Sequence, residues 1–106
     1  MRLCIPKGAI NSYKQYVKQD SHRLEYDGRI PAILRDSCSR PEVASQLEKL
    51  ELDHPIELSV ELVDLRRQDF LGRYMIRIVK RVQRDRRGKN RGQHYVILRV
   101  GELSKT

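Results

Sequence analysis

The residues with the clearest potential for chemistry lie between positions 80 and 92. This segment holds seven bases, one acid and two glycines, with no apolar residue after Val82. Five of the bases are arginine, whose planar guanidinium group binds phosphate through two hydrogen bonds and can also contact guanine edges. Because its like charges repel one another, the segment favours contact with a polyanion that neutralises them. We therefore expect residues 80–92, here named the basic arm, to bind the phosphate backbone of nucleic acid.

Charge is distributed unevenly along the whole chain. The 106 residues carry a net charge of +8, from 22 bases and 14 acids. Residues 66–106 hold 13 of the bases and three acids, a net charge of +10, whereas residues 1–65 carry a net charge of −2. Charge clustered in this way raises the local concentration of a polyanion more than evenly spread charge does.

Strand patterns enclose the basic arm on both sides. Residues 73–82 and 93–100 are rich in β-branched and aromatic side chains. Residues 56–64 alternate apolar and polar positions with the period of two that is typical of a half-buried strand. Three consecutive strands predict an antiparallel meander, in which the basic arm is the hairpin between the second and third strands.

Charge pairing across the strands predicts a register for the meander. The register that keeps one face of the first two strands apolar sets Glu61 opposite Arg77 and Glu57 opposite Arg81 on the other face. A slip of one residue would exchange the two faces, so the agreement of both faces supports this prediction.

Strict alternation along the third strand predicts a second basic surface, on the outer face of the sheet. It puts Leu98 on the core face and Tyr95 on the outer face, among Arg77, Arg81 and Arg99. An aromatic ring among bases is a stacking platform for an unpaired base, and the alternative is that Tyr95 packs under a covering helix. The candidate nucleic-acid-binding residues are Arg77, Lys80, Arg81, Arg84, Arg86, Arg87, Lys89, Arg91, Tyr95 and Arg99.

The first half of the chain carries two helical patterns. Residues 9–19 and residues 40–51 both place apolar side chains at three- and four-residue spacings. Ser39 and Glu42 have the spacing of a capping box, and Pro41 suits the first turn of a helix that begins there. Residues 30–34 form a brief apolar run that predicts a short strand or an extended buried segment.

These patterns predict an α+β fold in a single domain over residues 1–103, followed by a polar tail at 104–106. One or two short helices from residues 1–55 pack on one face of an antiparallel meander of three to five strands from residues 56–103. The alternative is a small OB-like barrel, for which residues 3–5 and 30–34 supply two further strands.

Metal and redox sites are not indicated. The two cysteines, Cys4 and Cys38, lack the spacing of a metal or redox pair, and the three histidines, His22, His54 and His94, are scattered. Glycine-rich phosphate loops are absent, so no cofactor is expected.

One group of carboxylates deserves comparison with Mg²⁺-dependent nucleases. Glu57, Glu61 and Asp64 share one strand pattern beside a basic surface, an arrangement by which such enzymes hold metal ions. The predicted register gives Glu57 and Glu61 arginine partners, which favours a structural role for both.

The sequence as a whole predicts a non-catalytic nucleic-acid-binding protein. The alternatives are a small interaction or inhibitor protein that docks the basic arm on an acidic protein surface, and a Mg²⁺-dependent nuclease. Signal-peptide and membrane-span patterns are absent from the sequence, which predicts a cytoplasmic protein without membrane contact. The choice between DNA and RNA, the strand state and the oligomeric state are left open.

Overall fold

Among the described residues, helices predominate in the first half of the chain and long strands in the second. The computed structural model describes residues 2–17, 29–66 and 68–102. The predicted polar tail, His22 and the end of the first predicted helix lie outside the described residues. The elements in chain order are β1 (Leu3–Cys4), α1 (Lys7–Tyr16), α2 (Ile30–Cys38), α3 (Pro41–Glu48), β2 (Ile56–Asp64), β3 (Asp69–Arg84) and β4 (Asn90–Gly101).

The four strands form one open sheet in the order β1, β4, β3, β2. Strands β2, β3 and β4 are the expected antiparallel meander, whereas β1 joins β4 in parallel, which the sequence analysis did not anticipate. The α+β class is confirmed. The barrel alternative is wrong, because β1 and β2 lie at opposite edges of the described sheet and residues 30–34 belong to a helix.

Helix α2 replaces the expected strand or extended segment at residues 30–34. Its apolar side chains Ile30, Ile33, Leu34 and Cys38 are all buried, and their spacing is that of one helix face. A proline in the first turn is compatible with a helix because the missing amide hydrogen has no partner there. The apolar run was therefore one face of a short helix.

Helix α3 begins at the proline that the sequence analysis placed in its first turn, but the expected capping box does not form. Ser39 lies at the end of α2, where its hydroxyl donates a hydrogen bond of 2.6 Å to the carbonyl oxygen of Arg35. The residue before α3, Arg40, makes no side-chain cap. Ser39 therefore serves the preceding helix, because the two helices are separated by only two residues.

The helices pack on one face of the sheet and enclose the core. Helix α2 is tied to β2 through the buried Ser37 hydroxyl, which accepts a hydrogen bond of 3.0 Å from the backbone amide of Val63. Helix α1 is tied to β4 through Ser12, whose hydroxyl accepts a hydrogen bond of 2.9 Å from the amide of Val100. Core residues include Ala9, Tyr13, Ile30, Ile33, Leu34, Leu47, Val60, Leu62, Ile76, Ile78, Ile97 and Val100. No described helix is long and apolar enough to cross a membrane.

Strands β2 and β3 pair four residues away from the expected register. Glu57 lies opposite Arg77, and Glu61 lies opposite Arg73. The apolar face still meets the core, because a shift by an even number of residues leaves both faces unchanged. Arginine recurs at every fourth position from Arg73 to Arg81, so a four-residue slip produces equivalent charge pairs. The predicted register is wrong because charge pairing did not distinguish these alternatives.

Strand β4 contains a bulge at Leu98. Ile78 pairs with Ile97, whereas the preceding residue of β3 pairs with Arg99, so Leu98 has no partner. An extra residue of this kind reverses the alternation of side chains on one side of the bulge. Tyr95 therefore turns toward the helices, and its expected position on the outer face is wrong.

Candidate nucleic-acid interface

The basic arm projects beyond its flanking strands. Strand β2 ends its pairing with β3 at Ile78, and β1 pairs with β4 only around Tyr95. Beyond the pair formed by Lys80 and Tyr95, the hairpin is a two-stranded ribbon within the described residues. The five residues of extended chain from Lys80 to Arg84 span about 13 Å. This projection is consistent with the 44 Å longest dimension of a molecule that is 22 Å across its shortest.

A closed turn organises the tip of the arm, and Asp85 is its anchor. One carboxylate oxygen of Asp85 accepts hydrogen bonds of 2.9 Å from the backbone amides of Arg87 and Lys89. The Asp85 amide also donates to the Lys89 carbonyl oxygen at 3.0 Å. Gly88 adopts a φ of 79°, which favours glycine at this position. The single acid of the arm thus has a structural role that the sequence analysis did not assign.

The tip bases, Arg84, Arg86, Arg87, Lys89 and Arg91, are all exposed. Arg91 lies 3.7 Å from the second carboxylate oxygen of Asp85 and remains 67% exposed. Within the described part of the chain, the other tip bases have no carboxylate within ion-pair distance. The tip also forms a cleft of about 440 Å³, here named the tip cleft, which is lined by Gln83, Arg84, Asp85, Arg86, Arg87 and Arg91.

Three further candidates lie on the outer face of the sheet, as expected. Arg77, Arg81 and Arg99 are exposed, and Arg77 is paired directly with Arg99 across β3 and β4. Arg99 also contacts α1, because it donates a hydrogen bond of 2.9 Å to the Tyr16 hydroxyl and lies over the Tyr16 ring. Like charges placed opposite each other repel. The outer face is therefore a second cationic surface, continuous with the arm through β3.

Lys80 and Tyr95 lie on the helix side of the sheet and not with the other candidates. The Tyr95 hydroxyl donates to the carbonyl oxygen of Leu47 at 3.1 Å, and burial, together with the charge of Glu48, raises the pKa of this phenol. The Lys80 ammonium donates to the carbonyl oxygens of Glu48 and Leu50 at the end of α3. Both side chains bind helix α3 to the sheet, so of the two alternatives for Tyr95, a stacking platform and packing under a helix, the structure has the second.

A second cleft, here named the base cleft, lies where the arm leaves the sheet. It has a volume of about 410 Å³. The Arg2 guanidinium at its rim donates a hydrogen bond of 2.6 Å to the Gln83 side chain. The sequence analysis missed this site because its residues are distant in sequence and meet only through the parallel pairing of β1 with β4. The cleft is lined by Arg2, Leu3, Cys4, Arg35, Gln83 and His94.

Two of the three carboxylates considered for a metal site are engaged in ion pairs, and the third, Glu57, lies opposite Arg77 in the strand register. Glu61 lies 3.5 Å from Arg40 and 3.9 Å from Arg73. Asp64 is buried and paired with Arg29. Among residues 2–17, 29–66 and 68–102, no three metal-ligating side chains come together. The sequence analysis expected arginine partners from β3 alone. Arg29 and Arg40 instead come from the helical half of the chain.

The described basic residues can bind several phosphate groups at once. The tip bases supply exposed guanidinium groups, and the base cleft adds two arginines and a histidine in a concave site. Comparisons of the chain with protein-family models, curated proteins and solved structures find no match.

Proposed function

We propose that this protein binds nucleic acid and grips its backbone phosphates with the basic arm. The observation that carries this proposal is the state of the tip bases, which are exposed on a projecting hairpin and, Arg91 excepted, have no carboxylate partner among the described residues. Unpaired guanidinium groups on a ribbon are available to neutralise backbone phosphates, which releases the cations condensed on the nucleic acid.

Phosphate contact, and not base stacking, supplies the affinity in this proposal. Residues 81–93 contain no aromatic side chain. Tyr95, the aromatic residue that follows, is held by the carbonyl oxygen of Leu47. Proteins that bind unpaired bases use exposed aromatic platforms. Recognition therefore depends on the shape and charge of the nucleic acid more than on its sequence, with the outer-face arginines as secondary contacts.

A matched pair of triple variants tests the proposal. Arg86→Gln, Arg87→Gln and Lys89→Gln together remove three tip charges and leave the ion pair of Arg91 with Asp85 in place. The control, Lys7→Gln, Lys49→Gln and Arg66→Gln, removes the same charge from exposed positions outside the arm and both clefts. Filter binding of duplex and single-stranded DNA and RNA at several salt concentrations gives the affinity and its salt dependence.

We expect the wild-type logarithm of affinity to fall with the logarithm of salt concentration at a slope of about −4 to −6, for five to seven neutralised phosphates. The arm variant should bind about a hundredfold more weakly near physiological salt and flatten the slope by about 3, since each lost phosphate contact lowers it by about 1. The control should change the slope little.

Two results would contradict the proposal. Equal losses in the arm variant and the control would show that net charge acts without the arm. Absence of binding to all four nucleic acids at low salt would favour an acidic protein surface as the partner of the basic arm.

A further inference from the structure

We propose that the base cleft is a binding site for a phosphate group, and that in the complex this phosphate belongs to the nucleic acid held by the arm. The second part of this inference rests on the proposed function. The first part depends only on the residues that line the cleft.

The lining of the base cleft is cationic, and none of its described residues is an acid. Arg2 enters from the start of β1, Arg35 from the exposed side of α2 and His94 from β4. Arg35 has no carboxylate within ion-pair distance in the described part of the chain. The Arg2 guanidinium is oriented by its hydrogen bond to Gln83, and its other N–H groups remain as donors. Guanidinium groups that converge on a concave site suit the oxygens of a phosphate.

His94 supplies an independent observation at the base cleft. Its Nδ1 atom is buried and has no hydrogen-bond partner among the described residues. Buried polar atoms nearly always have a partner, because leaving one unsatisfied is unfavourable. A turn of the imidazole would bring this nitrogen to the cleft that His94 lines, where, when it carries the proton, it could donate a hydrogen bond to a phosphate oxygen. The cleft also has the volume of a small-molecule site, about 300–1,000 Å³.

Gln83 connects the base cleft with the tip cleft, since it lines both. The pairing of Arg81 with His94 across the ribbon puts a further base beside the base cleft, on the same face as His94. A nucleic-acid backbone that follows the arm from its tip therefore reaches the base cleft along a basic path. Among the described lining residues of the two clefts, Asp85 is the one acid, and it is hydrogen-bonded within the turn. This continuity favours a backbone phosphate as the ligand.

The two cysteines provide a built-in reporter for the base cleft. Cys4 is exposed and lines the cleft. Cys38 is buried, and burial raises the pKa of its thiol to about 12, so it reacts slowly with alkylating reagents. The rate of Cys4 alkylation by iodoacetamide, followed by mass spectrometry, thus reports occupancy of the cleft. The variant Cys4→Ser should abolish the signal.

The experiment measures Cys4 alkylation with a DNA duplex, a 5′-mononucleotide or inorganic phosphate present. We expect each bound probe to slow alkylation, by about tenfold at a concentration about ten times its Kd. Protection by the duplex at the lower concentration identifies a backbone phosphate, and protection by the mononucleotide alone identifies a free nucleotide as the source. The variant Arg2→Gln with Arg35→Gln should remove protection and flatten the salt slope of duplex binding by about 1, because both arginines share one phosphate. Lys7→Gln with Lys49→Gln is the charge-matched control.

The outcomes separate this inference from the proposed function. If the duplex binds through the arm but no probe protects Cys4 in the wild type, the base cleft is not a phosphate site and the proposed function stands. If no nucleic acid binds while inorganic phosphate or the mononucleotide protects Cys4, the phosphate site stands and the proposed function is wrong. A loss of duplex affinity equal in the arginine variant and its control would also overturn the inference.

Discussion

The two hairpins of the sheet treat their charges in opposite ways. At the end of the β2–β3 hairpin, Asp64 is 2% exposed and is paired with Arg29, and nearby Glu61 is paired with Arg40. At the tip of the β3–β4 hairpin, the bases are exposed, and Arg91 is the one that lies near a carboxylate among the described residues. The end of the first hairpin is held against the helices, whereas the tip of the second projects beyond the residues that bind α1 and α3.

The difference shows how burial decides the role of a charge. A buried carboxylate loses its hydration, so it must have a partner that compensates it. An exposed guanidinium keeps its water, costs little in the folded state and stays available to a ligand. Charges of the β2–β3 hairpin therefore contribute to stability, whereas those of the basic arm contribute to binding.

Removal of the arginine that serves each hairpin gives the largest expected contrast. Arg29→Ala leaves the buried Asp64 carboxylate without compensation and should lower the free energy of unfolding by about 3–5 kcal/mol. Arg86→Ala removes an exposed base and should change it by less than about 0.5 kcal/mol. Urea denaturation followed by circular dichroism measures both. The double variant Arg29→Leu with Asp64→Leu should recover part of the loss, and equal stability of the two single variants would break the comparison.

Alkaline pH should lower the free energy of unfolding through the buried Cys38 thiol. The Cys38 thiol, next to the Ser37 that holds β2, has its pKa raised by burial from 9.0 to about 12. Above about pH 9 the unfolded chain releases this proton while the folded chain retains it, so the free energy of unfolding falls as pH rises, by about 1.4 kcal/mol per pH unit. Urea midpoints between about pH 8 and about pH 10.5 measure the slope. Cys38→Ala should flatten this slope and Cys4→Ala should leave it unchanged. The reverse result would show that Cys38 is not the thiol whose pKa burial raises.

Tyr95 gives the smallest effect and tests which side of the sheet it serves. Tyr95→Phe removes the hydrogen bond to Leu47 and should lower the free energy of unfolding by about 1 kcal/mol. Tyr95→Leu should leave the affinity for single-stranded nucleic acid within about twofold of wild type. If Tyr95 stacked on a base, Tyr95→Leu would instead weaken binding by about 1–3 kcal/mol. Such a loss, measured by fluorescence titration, would show that Tyr95 contacts the nucleic acid.

Local patterns were sufficient to predict much of this molecule. The alternation at residues 56–64 predicted β2, and the density of bases between two strand patterns predicted the hairpin of the basic arm. Both signals act between near neighbours in sequence, where side-chain period and charge repulsion leave few alternatives. Helix α2 carried such a signal in the spacing of Ile30, Ile33 and Leu34, but the run was too short for its period to be distinguished from a strand.

Local patterns could not predict the register of the strands or which side chains meet on each face of the sheet. The four-residue repeat of Arg73, Arg77 and Arg81 made two registers equivalent in charge. In the observed register, the apolar faces of β2 and β3 pack against the helices. The bulge at Leu98 has no signature in composition, yet it moved Tyr95 from one face of the sheet to the other.

The sequence by itself determined where positive charge accumulates and that it stands on a hairpin, because charge density and strand period are local properties. Only the tertiary structure decided which bases remain unpaired and which stabilise helix ends. It also brought Arg2, Arg35 and His94 to one cleft. The physical reason is that burial and hydrogen bonding between distant segments depend on how the whole sheet pairs, and pairing energies of several registers are close until the core is packed.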